Sequence, residues 1–316
     1  MKQMPKLTAK LTTLVLMATA LLAQNKQDKQ KAAPPEESDT PITLDVTRVN
    51  LLFTVTDKKG RFVNSLRKED FQITENKKKQ SIVEFTAESN LPLRLAILVD
   101  TSNSIRTRFR FIQDSAIEFI NTAMRTGEDK ALIMYFDTRA QLAVDLTGDK
   151  TTLTSAVKRM NAGGGTALYD AIYYASVQLT KDEPHDKFRR AIIILSDGED
   201  TLSDFSREQA LEMAQKSDSV IYTVSTNITH NASDGDKVLK HLAEQTGGLA
   251  YFPFKEEDLS QSFVNITNEL RHQYNALYRP EPLLRDGKYH AIDIKVIIPG
   301  DFVVRARQGY YAPSGK

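Results

Sequence analysis

The sequence contains no cysteine in its 316 residues. That excludes disulfides, cysteine-bound zinc, thiol nucleophiles and a lipid anchor carried on a cysteine. Tryptophan is absent as well, so tyrosine and phenylalanine supply all the large aromatic surface. Neither sign of charge is in excess. With 42 basic and 41 acidic residues the formal net charge is +1, and no global field draws the chain to nucleic acid or to a charged membrane. Repeated long apolar runs are also missing. Hydrophobic residues make up 41% and charged residues 26%, the composition of a globular protein and not of a polytopic membrane protein. The length suits two domains better than one.

The single sustained apolar run, Leu11 to Ala23, follows Lys2, Lys6 and Lys10. It is too short to span a bilayer and ends in small residues. This is the pattern of a secretory signal peptide over 1–23, cleaved after Ala20 or Ala23. A retained single-pass anchor is the alternative reading. Residues 24–41 are polar, carry Pro34, Pro35 and Pro41, and read as a disordered linker. The expectation is a secreted or periplasmic protein with no stable membrane insertion after signal cleavage.

From 42 to 89 the pattern is one of short strands and turns. The run ITLDVTRVNLLFTVTD alternates with period two, and Asp57-Lys58-Lys59-Gly60 reads as a turn. Apolar stretches follow at Phe62-Val63, Phe71 to Ile73 and Ile82 to Phe85, with ENKKK read as a second turn. About four strands cannot bury a core alone.

The centre, 90–272, alternates differently. LRLAILVD, KALIMYFD, RRAIIILSD and SVIYTVST have the continuous apolar character of strands buried on both faces. Between them, FRFIQDSAIEFINTAM, TALYDAIYYASVQL, REQALEMAQK and KVLKHLAEQ have helical spacing, and a last helix runs from Leu259 to about His272. The fold class expected is α/β: a mostly parallel central sheet with helices on both faces. MYFDT and AQLAVDLT are close enough to form a hairpin that adds one antiparallel edge strand. From 273 to 316, YNALYRP, KYHAIDIKVII and DFVVRARQGYY read again as strands. The economical arrangement joins them to 42–89 as one small all-β sandwich built from both chain ends, with the α/β domain inserted between. Two separate hairpins lying on the central domain are the alternative.

Three fragments carry chemistry. LRLAILVDTSNS places Asp100, Ser102 and Ser104 where a buried strand ends, AGGGTALYDAI places Thr166 at a helix start, and AIIILSDGED places Asp197 after another buried strand. All three deliver small oxygen ligands to the carboxyl edge of the sheet, where open α/β sheets bind ligands. Two carboxylates and three hydroxyls, with no imidazole or thiol, select a hard cation, Mg²⁺, Mn²⁺ or Ca²⁺, over zinc or copper. So few charged ligands leave the ion electrostatically unfinished, ready to keep waters or to take a carboxylate from a partner.

DTSNS, with the Thr166 and Asp197 fragments in the same order, resembles the metal-ion-dependent adhesion site of von Willebrand factor A domains. The resemblance covers roughly 93–272. It implies a Rossmann-like fold in which Ser102, Ser104 and Thr166 contact Mg²⁺ and Asp100 and Asp197 hold it directly or through water. It also implies a protein partner that supplies an Asp or Glu to the metal. The flanking pieces VTDKKGRFVNSLRKEDFQITENKKKQ and VRARQGYYAP are similar to those around the same domain in a family abundant in acidobacteria.

Each fragment alone also reads as turn or cap chemistry. Asp170 suits either a supporting place behind the metal or the positive helix start, and Glu199 and Asp200 read as a solvated acidic rim. An aspartyl phosphatase is the enzyme alternative, but Ser102 stands where its second Asp belongs. The five histidines, His185, His230, His241, His272 and His290, show no ligand spacing. No nucleophile elbow or Walker loop occurs. A binding module and not an enzyme is expected, with a structural envelope protein lacking any metal role as a third class. The charge runs Lys77 to Lys79 and Arg106 to Arg110 read as solvated turns; Arg106, Arg108 and Arg110 also follow the proposed metal loop, and steering of an acidic partner is the alternative reading.

Overall fold

Every residue of β5 (Leu93–Asp100) and of β8 (Arg189–Ser196) is buried, which demands cover on both faces and a place inside a parallel sheet. The computed structural model describes residues 48–87, 91–181, 188–227, 232–253 and 256–314, all within one compact unit, Leu44–Lys316. The expected signal peptide and linker, and residues 42–47, 88 and 89 of the first β module, lie outside the described residues.

The central sheet runs in the order β10 (Ala250–Tyr251), β9 (Ser219–Ser225), β8, β5, β6 (Lys130–Phe136) and β7 (Ala140–Thr147). All neighbours are parallel except β6 and β7. Period two along the strands divides the core in two. Leu95, Ile97, Val99 and Ile193 face one layer with Phe119, Phe263 and Ile266. Ala96, Leu98, Ile192 and Ile194 face the other with Leu168, Ile172, Ala210 and Leu239. The first layer comes from α1 (Phe109–Ala123), α2 (Lys150–Arg159) and α6 (Glu256–Arg271), the second from α3 (Leu168–Gln178), α4 (Arg207–Lys216) and α5 (Asp234–Thr246). Helix α1 buries Phe109, Ile112, Ala116, Phe119, Ile120 and Ala123, the i, i+3, i+4, i+7 stripe read from the sequence. The chain leaves β5 to build β6 on one side and returns to build β8 on the other. The order therefore reverses at β5, and the crevice lies at the carboxyl ends of β5 and β8.

Two sheets make the sandwich. One has the order β13 (Phe302–Ala306), β1 (Val49–Asp57), β11 (Tyr274–Tyr278), β4 (Ile82–Thr86). The other has the order β14 (Gly309–Tyr311), β12 (Tyr289–Val296), β2 (Phe71–Glu75), β3 (Lys78–Gln80). Each sheet mixes strands from before and after the α/β domain, so separate hairpins do not form. Leu51, Phe53, Val55, Ile73, Tyr274, Ile292 and Ile294 fill the space between the sheets, with Phe53 stacked on Tyr274 at 5.3 Å. One buried carboxylate joins the two sheets. Glu75 on β2 accepts from Tyr278 Oη of β11 (2.7 Å) and from Tyr310 Oη (3.2 Å), and it pairs with His290 Nδ1 (2.7 Å).

Polar contacts fasten the sandwich to the α/β domain. Arg305 Nη2 donates to Glu269 Oε1 of α6 (2.6 Å). Arg307 donates to Asn50 O (2.7 Å) and to Asp218 Oδ1 (3.3 Å).

Three elements differ from the sequence reading. Helix α2 went unread because its run KTTLTSAVKR buries only Leu153, Ala156 and Val157, too weak a stripe to stand out among threonines. Its start signal was present, since Asp149 caps it by accepting from Thr151 N at 2.9 Å. ENKKK is not all turn: only Asn76 and Lys77 take positive φ, and Lys78 returns as β3 opposite Glu75. The two-residue strand β10 carries no periodicity to read.

Candidate metal centre

Strands β5 and β8 end beside each other. Asp100, the last residue of β5, is fully buried, and Ser196, the last of β8, donates its hydroxyl to Asp100 Oδ2 at 2.6 Å. The other carboxylate oxygen accepts from the backbone N–H of Ser102 at 2.8 Å, which turns the chain sharply after the strand. That turn brings the Ser102 and Ser104 hydroxyl oxygens within 2.9 Å of each other. Ser102 is buried while Ser104 is exposed, so the pair leads from the interior to the surface.

Backbone bonds close the three loops into a ring. Gly163 N donates to Thr101 O (2.6 Å) and Asn103 N to Gly164 O (3.2 Å), which joins the glycine loop to the DTSNS loop. Thr166 is tied to the loop after β8. Its carbonyl accepts from Thr201 N (2.9 Å) and Leu202 N (3.0 Å), and its N–H donates to Thr201 Oγ1 (3.1 Å). The third side is the Ser196–Asp100 bond. Gly164 has φ of +88° and its missing Cβ would lie 2.8 Å from Thr138 Oγ1, so the loop needs glycine here. Among the described residues, no hydrogen bond uses the Thr166 hydroxyl, which leaves it free to act as a ligand. Asp197, one residue past β8, is half-buried and accepts Glu199 N at 3.2 Å.

The electrostatics suit a cation. Burial pushes the Asp100 carboxyl up to about 6, against the pull of the Ser196 and Ser102 hydrogen bonds, and the nearby Asp197 charge pushes it the same way. A buried carboxylate beside a second carboxylate, bonded only to neutral donors, is an unfinished charge. The oxygen-only donor set fits a hard divalent ion. Among the described residues no group of three or more His, Cys, Asp and Glu could hold a metal. A set of two carboxylates and three hydroxyls is the one arrangement the sequence reading proposes.

Three residues near the ring were missed or misjudged. Ser196 was not singled out, and nothing in the strand pattern marks it. Asp200 is no solvated rim: its Oδ1 accepts from Leu168 N (2.7 Å) and Tyr169 N (3.2 Å), capping α3 from 32 and 31 positions away. Local capping signals cannot reveal so distant a cap. Thr201 escaped notice for the same reason. Asp170 stands in the first turn of α3, the helix-start place of its two expected roles. Its Oδ1 accepts Phe205 N at 3.0 Å, and burial raises its pKa. His290 is buried in the sandwich and His272 stacks on Phe62 at 5.0 Å, both away from the ring.

Residues 95–199 match the family model of the von Willebrand factor type A domain. The central unit has the von Willebrand factor A fold. Von Willebrand factor A domain-containing protein 3B of Homo sapiens is 27% identical over 162 residues. That alignment takes 49% of this chain and 11% of the human protein, so the chain spans only a small part of its curated relative. Among solved structures, a von Willebrand factor type A protein from Catenulispora acidiphila is 13% identical, covers 85% of this chain and 75% of its own, and has a TM-score of 0.49. Proximal thread matrix protein 1 from the mussel byssus, solved with zinc in its adhesion-site motif, is 17% identical. It covers 62% of this chain and 49% of its own, with a TM-score of 0.48.

Proposed function

We propose that the chain is an exported, metal-dependent protein-binding module that takes a partner carboxylate through Mg²⁺. Asp100, Ser102, Ser104, Thr166 and Asp197 form the metal set, and the module is not an enzyme. The observation that carries the reading is Asp100, a buried carboxylate that among the described residues is bonded only to neutral donors and forms one side of a closed ring of loops. The ion supplies positive charge that a partner Asp or Glu can share. The chain's own residues do the rest: Ser196 and Ser102 N–H orient Asp100, and the glycine loop and Thr201 hold Thr166 in place. In this reading 1–23 is a signal peptide, 24–41 a linker, 90–272 the binding domain, and 42–89 with 273–316 its β-sandwich support. Among the described residues no helix is long and apolar enough to cross a membrane.

Titration calorimetry with Mg²⁺ on the wild type and on Asp100→Ala tests the site. Weak binding is expected for the wild type alone, because two carboxylates give little charge and Mg²⁺ dehydrates reluctantly. No binding is expected for the variant. Capture from envelope extract in Mg²⁺ against EDTA tests the partner. A wild type that takes no divalent ion at millimolar concentration, with or without extract, refutes the proposal.

A further inference from the structure

Gly164 and Gly165 lie where three loops meet, and each loop brings a different exposed side chain to the rim of the ring. Asn103 N donates to Gly164 O at 3.2 Å, and three residues later Arg106, whose N–H returns to Asn103 O (3.3 Å), opens to solvent. Thr138 Oγ1 accepts from Gly165 N at 3.5 Å, which sets the exposed Arg139 of the β6–β7 turn beside the same shelf. From the opposite side Leu202 covers Gly165: its Cδ1 lies 2.4 Å from where a Cβ on that glycine would stand. Leu202 nonetheless remains 48% exposed, and its N–H is bonded to Thr166 O.

The rim is therefore divided. Among the described residues neither the Arg106 nor the Arg139 guanidinium has a hydrogen bond or an ion pair, and both lie on the side of the DTSNS loop and the β6–β7 turn. Asp137, in the same turn, accepts the Arg139 backbone N–H at 3.3 Å. On the other side Leu202 is the apolar projection, with Glu199 and Asp204 exposed in the same 197–205 loop. An acidic side chain gains on the first side and is repelled on the second, whereas an apolar one gains only at Leu202.

We infer that the partner segment is acidic and ordered, resting on the reading of this ring as a metal site. Its metal-bound Asp or Glu is flanked on one side by a second carboxylate that meets Arg106 and Arg139, and on the other by a bulky aliphatic or aromatic residue that packs on Leu202.

The test is a displayed library of random linear heptapeptides panned on the full chain in Mg²⁺, in EDTA, and against two variants. The expected pool in Mg²⁺ carries an acidic residue bordered by a second acidic residue and by Leu, Ile, Met or Phe. Arg106→Glu/Arg139→Glu removes the second acidic preference and weakens a synthetic peptide from the wild-type pool by about tenfold at low salt, a difference that shrinks as salt screens the charges. Leu202→Ser removes the apolar preference alone. Leu202→Ser retains wild-type Mg²⁺ affinity by calorimetry, because the change touches no ligand and no charge, and the charge-reversed pair binds Mg²⁺ at least as tightly as wild type. A pool without these flanking preferences, or preferences that the variants leave unchanged, overturns the inference. Flanking preferences that persist equally in EDTA leave the surface standing and refute the metal reading instead.

Discussion

The Cβ that Gly198 lacks would lie 2.2 Å from the carbonyl oxygen of Gly235, and the Cβ that Gly235 lacks would lie 2.1 Å from the carbonyl oxygen of Asp197. The loop that carries Asp197 thus rests backbone to backbone on the first turn of α5, and Gly198 adds a φ of +83°. A methyl group at either position must push the two segments apart.

Gly198→Ala is expected to cost about 3 kcal/mol, from strained φ together with overpacking. Gly235→Ala should cost a similar amount. Because one displacement relieves both clashes, the double variant should lose less than the sum of the two. Urea unfolding of the four proteins measures this, and strict additivity would show that the segments yield independently.

Asp100→Asn should stabilise the metal-free protein while removing its response to Mg²⁺. The folded pKa of about 6 lies above the ordinary 3.8. The native state therefore holds the Asp100 proton more tightly than the unfolded chain does, and wild-type stability falls as pH rises from about 4 to 6. The asparagine variant lacks that slope. A shift of this size caps the gain at about 3 kcal/mol above pH 7. Thermal unfolding in EDTA and in Mg²⁺ checks both halves, and an asparagine variant less stable than wild type in EDTA contradicts the account.

Thr166→Ala should weaken Mg²⁺ binding by about tenfold, the effect of roughly 1.4 kcal/mol. Its melting temperature in EDTA should stay within about 2 °C of wild type. The hydrogen bonds that hold residue 166 in its loop use its backbone, so the hydroxyl is expendable for folding. Calorimetry and melting on one preparation separate ligation from support.

At the far end of the sheet, Asp129 is fully enclosed and paired with Arg271, and it accepts Leu93 N and Arg125 N at 2.7 Å each. Burial raises its pKa, but the Arg271 guanidinium and the two N–H groups outweigh that and hold it below 3.8. A lowered folded pKa contributes stability that is present above pH 3.8 and lost as pH falls through the folded value. Asp129→Asn should cost about 3 kcal/mol at neutral pH and flatten the acid limb of the stability curve. An unchanged acid limb would assign the loss to other carboxylates.

The sheet was legible because burial on both faces forces continuous Ile, Leu and Val, as in Arg189–Ser196, and that signal is local. The candidate carboxylates could be placed for a related reason: Asp100 ends one buried strand and Asp197 stands one step past another, and the apolar pattern marks both ends. What supports them was not legible. Ser196 looks like any strand residue, Asp200 caps a helix 32 positions earlier, and the Gly198–Gly235 contact joins segments from different crossovers. Such relationships exist only once the chain has folded. The sandwich was legible only as a deficit, too few strands at each end to bury a core.

That deficit has a consequence for the order of assembly. Strand β1 is bonded to β11 and β13, and β2 to β12, so the first strands wait for the last through the synthesis of the whole intervening α/β domain. Pairings this distant close late and slowly. A nascent chain that has not yet reached β11 consequently displays the unpaired edges of β1 and β2, which attract other strands; β11 and β13 then cover the two edges of β1, and β12 covers the open edge of β2. Strands β11, β12 and β13 act as the closing seam of the sandwich.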